Sequence, residues 1–336
     1  MRLLIVALIW LLLASPCSAG ETLDTVLSRK TLRCGVSPDI PGLALHNAQG
    51  QWSGMDADFC RAVAAAVLQS PDKVSFVPLP TRARFSSLLS KEIDLLSRNT
   101  SQTLGRESQL GVLFAGPLFI TGQAFLVRSE DAAKGLDSLR DARIAVLKGS
   151  THVHNLEDLA VARNLQFQTI IFDGLDEAAR AFLDGRCTVL TNDAAILAAV
   201  RLLAPQGEQS LTILPGLHSL EIIAPAVRQG DVQWLLTIKA VLSALITAEE
   251  LGVAAATLQA GSAQPQSASA VIFFNRTDAL AASLGLTPGW AGRVVSAVGN
   301  YGEMFERNLG AQGPLKLERG PNRLVRDGGM IYAVPF

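Results

Sequence analysis

Short apolar segments alternate with helical segments along this chain, and the alternation restricts its fold more than any other feature. In a first round, strands are predicted at residues 31–36, 73–79 and 93–97, with helices at 56–68 and 81–89 between them. Strand–helix–strand alternation is typical of a parallel sheet covered by helices. Because the carboxyl ends of parallel strands meet at one edge of a sheet, ligand-facing loops are expected there.

The pattern recurs in outline in a second round. Strands are predicted at residues 142–147, 167–172 and 187–190, and helices begin at 149–151 and at Asp173. With 336 residues, the chain is also longer than one hydrophobic core usually supports. We therefore expect an α/β protein with two lobes, each a central sheet flanked by helices.

The amino terminus has a basic start, an apolar run at residues 3–14, and small residues at Cys17 and Ala19. This pattern is typical of a secretory signal peptide and predicts cleavage after Ala19. A membrane anchor is the alternative, but the run is shorter than the roughly 20 residues that span a bilayer. A lipoprotein acylated at Cys17 is disfavoured, because Pro16 occupies a position where a small residue is needed.

Charge and cysteine content narrow the class of partner. The chain has 29 Lys and Arg against 30 Asp and Glu, and no basic run with interleaved aromatics. Nucleic acids and membrane surfaces are therefore unexpected partners, and small molecules or proteins are favoured. After the signal peptide the cysteines are Cys34, Cys60 and Cys187, too few for a disulfide scaffold. Cys34 at a strand end and Cys60 on the following helix are predicted to form a disulfide.

Polar side chains suited to a carboxylate follow the third strand of the first round. Arg106 presents a planar fork that can bind a carboxylate through two hydrogen bonds. The hydroxyl groups of Ser101 and Thr103 can donate or accept. The alternative interpretation is a capped helix start with a solvated arginine.

The second round supplies complementary groups. Gly149, Ser150 and Thr151 open a helix, where N–H groups and hydroxyls can hold a small anion, although ordinary capping is the alternative. An α-amino acid needs a cationic fork and donors for its carboxylate and a buried carboxylate for its ammonium group. Arg106 with Ser150 and Thr151 would meet the first need and Asp193 the second. Such a ligand would lie between the lobes.

No enzyme or metal site is convincing in the sequence. His152 and His154 lie two residues apart on a predicted helix, so they do not face each other, and no third ligand is apparent. A nucleophile with a base, or a pair of carboxylates, is not found either. Trp52, in the long loop at residues 37–54, could stack on a ligand or pack on the lobe surface.

Several short strings along the chain are informative when taken in order: LDTV (23–26), RCGVS (33–37), DFCRAVAAA (58–66), LSRNT (96–100), GRC (185–187), PAVRQGD (225–231), AEELG (248–252) and VGNYGE (298–303). Together they resemble the periplasmic solute-binding proteins of polar amino-acid ABC transporters, most closely the general L-amino-acid-binding subgroup. The resemblance implies a type II periplasmic-binding-protein fold, the venus flytrap, with two hinge crossings. It also implies that Arg106 binds the ligand carboxylate and Asp193 its ammonium group.

The resemblance gives a full set of expectations. After the signal peptide (1–19), lobe 1 would comprise residues 20–122 and, with a C-terminal extension, 223–336, and lobe 2 residues 123–222. The protein would be a periplasmic monomer without a cofactor or membrane insertion that captures an L-amino acid and delivers it to ABC permease subunits. The candidate ligand-binding residues are Trp52, Asn99, Ser101, Thr103, Arg106, Ser150, Thr151 and Asp193.

The chain departs from the family near the expected pocket. The aromatic residue that usually covers the ligand is replaced near Ile40 or Leu43, and another is absent near Gln102. In the subgroup, Cys187 has a possible partner at the position of Ala145, so Cys187 is expected to be free. The rival function is a periplasmic enzyme on the same fold, such as a cyclohexadienyl dehydratase acting on a cyclic carboxylic acid, for which no acid or base can be placed. A sensory or scaffold role is a third alternative.

Overall fold

The computed structural model describes residues 20–259 and 267–336, so the predicted signal peptide lies outside the described residues. The helices are α1 (Glu21–Arg29), α2 (Met55–Leu68), α3 (Arg84–Leu89), α4 (Leu104–Gln109), α5 (His152–Arg163), α6 (Leu175–Leu183), α7 (Ala194–Arg201), α8 (Val232–Glu250), α9 (Ala255–Gln259), α10 (Ala268–Ala279), α11 (Trp290–Val298) and α12 (Tyr301–Asn308). The strands are β1 (Leu32–Val36), β2 (Leu45–His46), β3 (Trp52–Ser53), β4 (Val74–Pro78), β5 (Leu95–Leu96), β6 (Val112–Phe114), β7 (Phe119–Thr121), β8 (Gln123–Arg128), β9 (Arg143–Leu147), β10 (Gln168–Phe172), β11 (Val189–Asp193), β12 (Leu211–Ile213), β13 (Glu221–Ile223) and β14 (Ala226–Arg228).

Two five-stranded sheets organise the molecule. The first has the order β4-β1-β5-β14-β6, and the second has the order β10-β9-β11-β8-β12. In each sheet the first three strands in this order pair in parallel, as the alternating pattern predicts, and the remaining two pairings are antiparallel because the fourth strand, β14 or β8, runs in the opposite direction. The predicted two-lobe α/β fold is confirmed.

The chain crosses between the lobes twice, through neighbouring strands. β7 pairs antiparallel with β13, in a register that sets Thr121 opposite Glu221. The next strand after β7 enters the second sheet at Gln123, and the next strand after β13 returns to the first sheet at Ala226. The exact division of the chain into lobes stays a prediction.

The first lobe has the larger core because the C-terminal extension packs onto it. Phe59 on α2, Trp234 on α8 and Trp290 on α11 are buried in one hydrophobic cluster. The two buried indole N–H groups have hydrogen-bond partners: Trp234 Nε1 donates to Asp94 O at 2.9 Å, and Trp290 Nε1 donates to Thr277 O at 2.9 Å. The helix α8 has the length and apolar composition of a membrane span, but more than half of that stretch is buried here. Its apolar character is therefore explained by packing in this core.

The predicted disulfide joins Cys34 on β1 to Cys60 on α2, with 6.2 Å between their Cα atoms. The bond ties the first strand of the first sheet to the helix that covers it. Within the described ranges, Cys187 is free and buried, as expected.

Candidate functional site

A cleft lies where the carboxyl ends of the strands in the two lobes meet. From the first lobe, Ser37 follows β1, Thr81 follows β4 and Asn99 follows β5. From the second lobe, Ser150 follows β9 and Asp193 ends β11. This is the sheet edge at which open α/β sheets place ligands.

The two lobes touch each other across the cleft through polar groups. Asn99 Nδ2 donates to Asp193 Oδ2 at 2.8 Å. Arg84 Nη2 and Arg106 Nη2 both donate to the carbonyl oxygen of Gly149, at 3.1 and 3.3 Å. Only about 40 Å³ of free space is left inside, so the described arrangement is a closed one.

Arg106 is held in place by its own helix start. Thr103 caps α4, its Oγ1 accepting the Arg106 N–H at 3.1 Å, and Arg106 Nη1 donates to Ser101 O at 2.6 Å. Burial lowers the pKa of Arg106, while the nearby carboxylates Glu221 and Asp193 raise it. Thr103, one of the predicted ligand residues, therefore orients Arg106 and is not among the residues that line the cleft.

Asp193 is 2% exposed and faces groups from both lobes. Besides Asn99, its carboxylate approaches His152, whose Nε2 lies 3.3 Å from Asp193 Oδ1. The sequence suggested His152 only as a possible metal ligand, but in the structure it lines the cleft. Among the described residues, no cluster of three metal-ligating side chains occurs. The sequence signal for a place in the cleft was the position of His152 directly after Gly149, Ser150 and Thr151, the predicted anion-binding segment.

Ser150 and Thr151 line the cleft, but their hydroxyl groups have local partners. Ser150 Oγ donates to Leu147 O at 2.7 Å, and Thr151 Oγ1 donates to Glu221 Oε1 at 3.1 Å. Ser219 Oγ also donates to Glu221 Oε1, at 3.0 Å. Because Glu221 belongs to β13, these contacts attach the start of α5 to a crossing strand.

Trp52 lies outside the cleft, on the hairpin formed by β2 and β3. Its ring centroid lies 5.3 Å from that of Phe76 and 5.1 Å from that of His46. Trp52 thus packs on the lobe surface, which was the alternative interpretation. The same loop contributes Ile40 to the cleft, where the family usually has an aromatic residue, and Ile196 adds to the apolar wall from the other lobe.

Two buried arginines of the cleft were missed by the sequence analysis, Arg84 and Arg98, which are 3% and 7% exposed. Arg98 Nε donates to Leu79 O at 2.7 Å, and its Nη2 donates to Thr81 Oγ1 at 3.0 Å. Burial lowers the pKa of Arg98 to about 10 against the opposing effect of Asp56. The signal for Arg84 was its place in the first turn of the predicted helix that follows the second predicted strand, at the same sheet edge as Arg106.

Several buried polar atoms of the cleft have no hydrogen-bond partner within the described part of the chain. They are Ser37 Oγ, Arg84 Nε, Asn99 Oδ1, His152 Nδ1 and Asn192 Nδ2. Buried polar groups usually have partners, because leaving one unpaired costs about 1–3 kcal/mol. Their concentration in one cleft favours a polar ligand there.

Comparison with known proteins agrees with this geometry. Residues 32–256 match the bacterial extracellular solute-binding proteins, family 3. The chain belongs to this family. The resemblance inferred from the sequence strings is therefore confirmed, and residues 257–336 extend beyond the matched region.

Relatives match the chain over nearly its full length. It is 40% identical to the general L-amino acid-binding periplasmic protein AapJ of Rhizobium johnstonii, over 95% of this chain and 93% of the relative. It is 36% identical to the glutamate/glutamine/aspartate/asparagine-binding protein BztA of Rhodobacter capsulatus, over 96% of each. These relatives therefore share the C-terminal extension.

Solved structures of binding proteins are also similar to this chain. A periplasmic binding protein of an ABC transporter from Brucella ovis, with glutathione bound, is 36% identical, with a TM-score of 0.88, and the match covers 94% of this chain and 98% of that one. A mutant of the arginine-binding protein ArgBP from T. maritima is 27% identical, with a TM-score of 0.57 over 69% of this chain and 94% of its own.

Proposed function

We propose that this protein is the periplasmic solute-binding subunit of an ABC transporter, and that it binds an L-α-amino acid in the cleft and delivers it to the membrane subunits of a permease. The observation that carries the proposal is that Arg106 from one lobe and Asp193 from the other line a single closed cleft. These two charges match the two charged groups that every α-amino acid carries.

In this proposal the ligand replaces contacts that the lobes now make with each other. Arg106 Nη2, which donates to the carbonyl oxygen of Gly149, would donate to the ligand carboxylate instead. Asp193 would accept from the ligand ammonium group in place of Asn99 Nδ2. Hydrogen bonds between charged partners are stronger than bonds to neutral amides, so the exchange favours the bound state.

The relatives support this assignment and give no support to the rival enzyme. AapJ and BztA are named as amino-acid-binding proteins, and the Brucella ovis structure has glutathione bound. We infer from the periplasmic relatives that this chain works in the same compartment and does not transform its ligand. The predicted signal peptide is consistent with export.

The first test is a thermal-shift screen of the chain from residue 20 onward against the twenty amino acids and several cyclic carboxylic acids, with product analysis of each mixture. A ligand that binds only the folded state raises the unfolding temperature. We expect at least one L-amino acid to do so and to be recovered unchanged. Conversion of a cyclic acid into a product would instead favour the dehydratase.

Calorimetric titration of variants tests the clamp itself. Arg106→Ala and Asp193→Ala should each cost about 2–5 kcal/mol of binding, since each leaves the opposite charge of the ligand unpaired in a buried site. Arg106→Lys should also bind more weakly, because an ammonium group lacks the planar fork. The wild type should bind a deaminated analogue much more weakly than it binds the amino acid itself. For Asp193→Ala, the difference in affinity between the two ligands should be much smaller.

Arg82 and Asp173 provide a matched control, because their ion pair joins the same two lobes. Their charged atoms lie 3.8 Å apart and their side chains are 62% and 55% exposed. Exposed ion pairs contribute little, so Arg82→Ala and Asp173→Ala should change the binding free energy by less than about 1 kcal/mol. Near-wild-type affinity in Asp193→Ala would mean that the ammonium group is held elsewhere.

A further inference from the structure

Arg84 is a cationic group of the cleft that the proposed amino-acid clamp does not use. It begins α3 and is 3% exposed. Its Nη1 donates to Thr81 O at 3.2 Å, its Nη2 donates to Gly149 O at 3.1 Å, and its Nε has no partner among the described residues. A buried guanidinium group with only neutral carbonyl acceptors is poorly compensated, because such a charge normally has a carboxylate partner.

The surroundings of Arg84 add to this imbalance. Burial lowers its pKa well below the ordinary value, and the positive charges of Arg106 and Arg98 lower it further, while Asp193 opposes them. The Arg84 and Arg106 guanidinium groups both donate to the carbonyl oxygen of Gly149. Their Cζ atoms lie 4.8 and 5.4 Å from the centroid of the Phe85 ring. The two planar forks are therefore neighbours that face the same gap between the lobes.

A zwitterionic ligand does not correct the imbalance. Its ammonium group would engage Asp193 and its carboxylate Arg106, so it would bring no net charge into the cleft. Arg98 already has its own hydrogen bonds and lies near Asp56, whereas Arg84 would lose part of the opposing effect of Asp193. A ligand with one further negative charge would give Arg84 a partner.

We propose that Arg84 is a specificity residue that selects an α-amino acid with a second carboxylate in its side chain. The inference rests on the proposed function and narrows it to acidic amino acids. Arg106 takes the α-carboxylate, and the neighbouring fork of Arg84 takes the side-chain carboxylate in the same gap. A guanidinium group matches a carboxylate through two parallel hydrogen bonds, which a neutral amide cannot reproduce.

Two effects should separate glutamate from glutamine: the bond that Arg84 makes to the side-chain carboxylate of glutamate, and the cost of leaving Arg84 without a charged partner when glutamine binds. Glutamine has nearly the shape of glutamate, but its side-chain amide leaves the buried charge of Arg84 uncompensated. Sites built around a buried polar group reject ligands that leave that group unpaired. We therefore expect glutamate to bind the wild type about 10- to 100-fold more tightly than glutamine, and aspartate likewise more tightly than asparagine.

The decisive experiment is calorimetric titration of glutamate and glutamine into the wild type, Arg84→Gln, and the control Arg82→Gln. Arg84→Gln should lose far more affinity for glutamate than for glutamine, so that the preference disappears. Arg82→Gln removes the same charge two residues away, from a side chain that is 62% exposed, and should keep the wild-type preference. Loss of the preference in both variants would point to long-range charge and overturn the assignment to Arg84.

Thermal unfolding without ligand separates a binding role from a structural one. If Arg84 serves the ligand, removing a buried cation beside Arg106 should leave the unfolding temperature of Arg84→Gln unchanged or higher, since binding residues are often held at a cost in stability. A lower unfolding temperature together with equal losses for glutamate and glutamine would show a structural role and overturn the inference.

The outcomes also separate this inference from the proposed function. If a neutral amino acid binds the wild type as tightly as glutamate does, the protein is still an amino-acid-binding protein and only the role of Arg84 is overturned. If no amino acid binds, the proposed function fails, and the inference fails with it.

Discussion

At the scale of single residues, Asp56 fixes the loop that carries Asn99 to the cleft. The carboxyl group of Asp56 is 1% exposed, and it accepts from the Asn99 N–H at 3.1 Å and from Ser97 Oγ at 3.2 Å. Asn99 has a φ of 34°, a left-handed conformation that asparagine tolerates better than most residues. Asp56 thus holds the backbone from which the Asn99 side chain reaches Asp193.

Asp56 should make stability depend on pH. Burial raises its pKa to about 7, although the hydrogen bonds from Asn99 and Ser97 and the charge of Arg98 lower it. Because the folded-state pKa lies above the unfolded value, this contribution to stability is full below about pH 4 and is lost as pH rises through 7. Asp56→Asn cannot ionise, so relative to wild type it should gain a few kcal/mol between pH 4 and pH 8.

Urea unfolding of both proteins across this range measures the difference. Asp39→Asn, a substitution at an exposed carboxylate, is the control and should follow the wild type. A difference between Asp56→Asn and wild type that stays constant from pH 4 to pH 8 would contradict the raised pKa.

The disulfide gives a second prediction at this scale. Cys34 and Cys60 are separated by 26 residues, and opening a loop of that length should lower the free energy of unfolding by about 3 kcal/mol. Unfolding with and without reductant measures this cost. Alkylation of the unreduced, denatured chain from residue 20 onward should label Cys187 alone, and labels on all three cysteines would contradict the bridge.

Much of the cleft could be predicted because its residues follow strands. Asp193 ends a strand, Asn99, Ser101 and the Ser150–Thr151 pair follow strands within a few residues, and Arg106 lies on the short helix α4 after β5; all of them line the cleft. Other features depend on tertiary contacts that a linear pattern does not contain. Examples are the contact of Arg84 with Gly149, the approach of His152 to Asp193 and the packing of Trp52 on Phe76. Each of these contacts joins residues that are distant in the sequence.

At the scale of elements, the C-terminal extension reaches the crossing strands. Asn322 Nδ2 donates to Ile120 O at 2.9 Å, and Asn322 Oδ1 accepts from Ile120 N at 2.6 Å. The side-chain amide thereby satisfies both backbone groups of Ile120 on β7, much as a neighbouring strand would. The sequence predicted an extension of lobe 1, but this contact could not be predicted, because the segment has little periodicity.

Gly122, between β7 and β8, tests how tightly the crossing is packed. A Cβ atom at this position would lie 2.1 Å from Ser219 O and 2.9 Å from Leu217 Cβ. Gly122→Ala should therefore lower the free energy of unfolding by about 1–3 kcal/mol, because the backbone of the facing segment must shift. Denaturant unfolding measures this effect.

Gly174 is the matched control for this substitution. It has an extended φ of −138°, and no atom lies within 4 Å of a Cβ built there. Gly174→Ala should change the free energy of unfolding by less than about 1 kcal/mol, since alanine restricts the unfolded chain but is a poorer N-cap than glycine for α6. Equal effects of the two substitutions would show that the crossing has room to adjust.

At the scale of the whole molecule, few polar contacts between the described residues hold the cleft shut. They are the Asn99–Asp193 bond, the two arginine bonds to Gly149, and the exposed Arg82–Asp173 pair. Arg84 and Arg106 must share one carbonyl acceptor, so closure without ligand leaves both incompletely paired. A two-lobe shape could be predicted from the repeated strand–helix pattern, but these contacts across the cleft could not.

Ligand should therefore close the molecule in solution. Without ligand, we expect a radius of gyration larger than that of the described closed structure, and about 20 Å is typical of a compact chain of this length. A saturating amino acid that binds both lobes should bring the radius down to the closed value, because ligands favour the state in which they make more contacts. Small-angle X-ray scattering with and without ligand measures the change. Asp193→Ala, at a ligand concentration that saturates only the wild type, should keep the larger radius. An unchanged wild-type radius with a ligand already proven by calorimetry would mean that binding does not move the lobes, and the cleft would then be a fixed pocket.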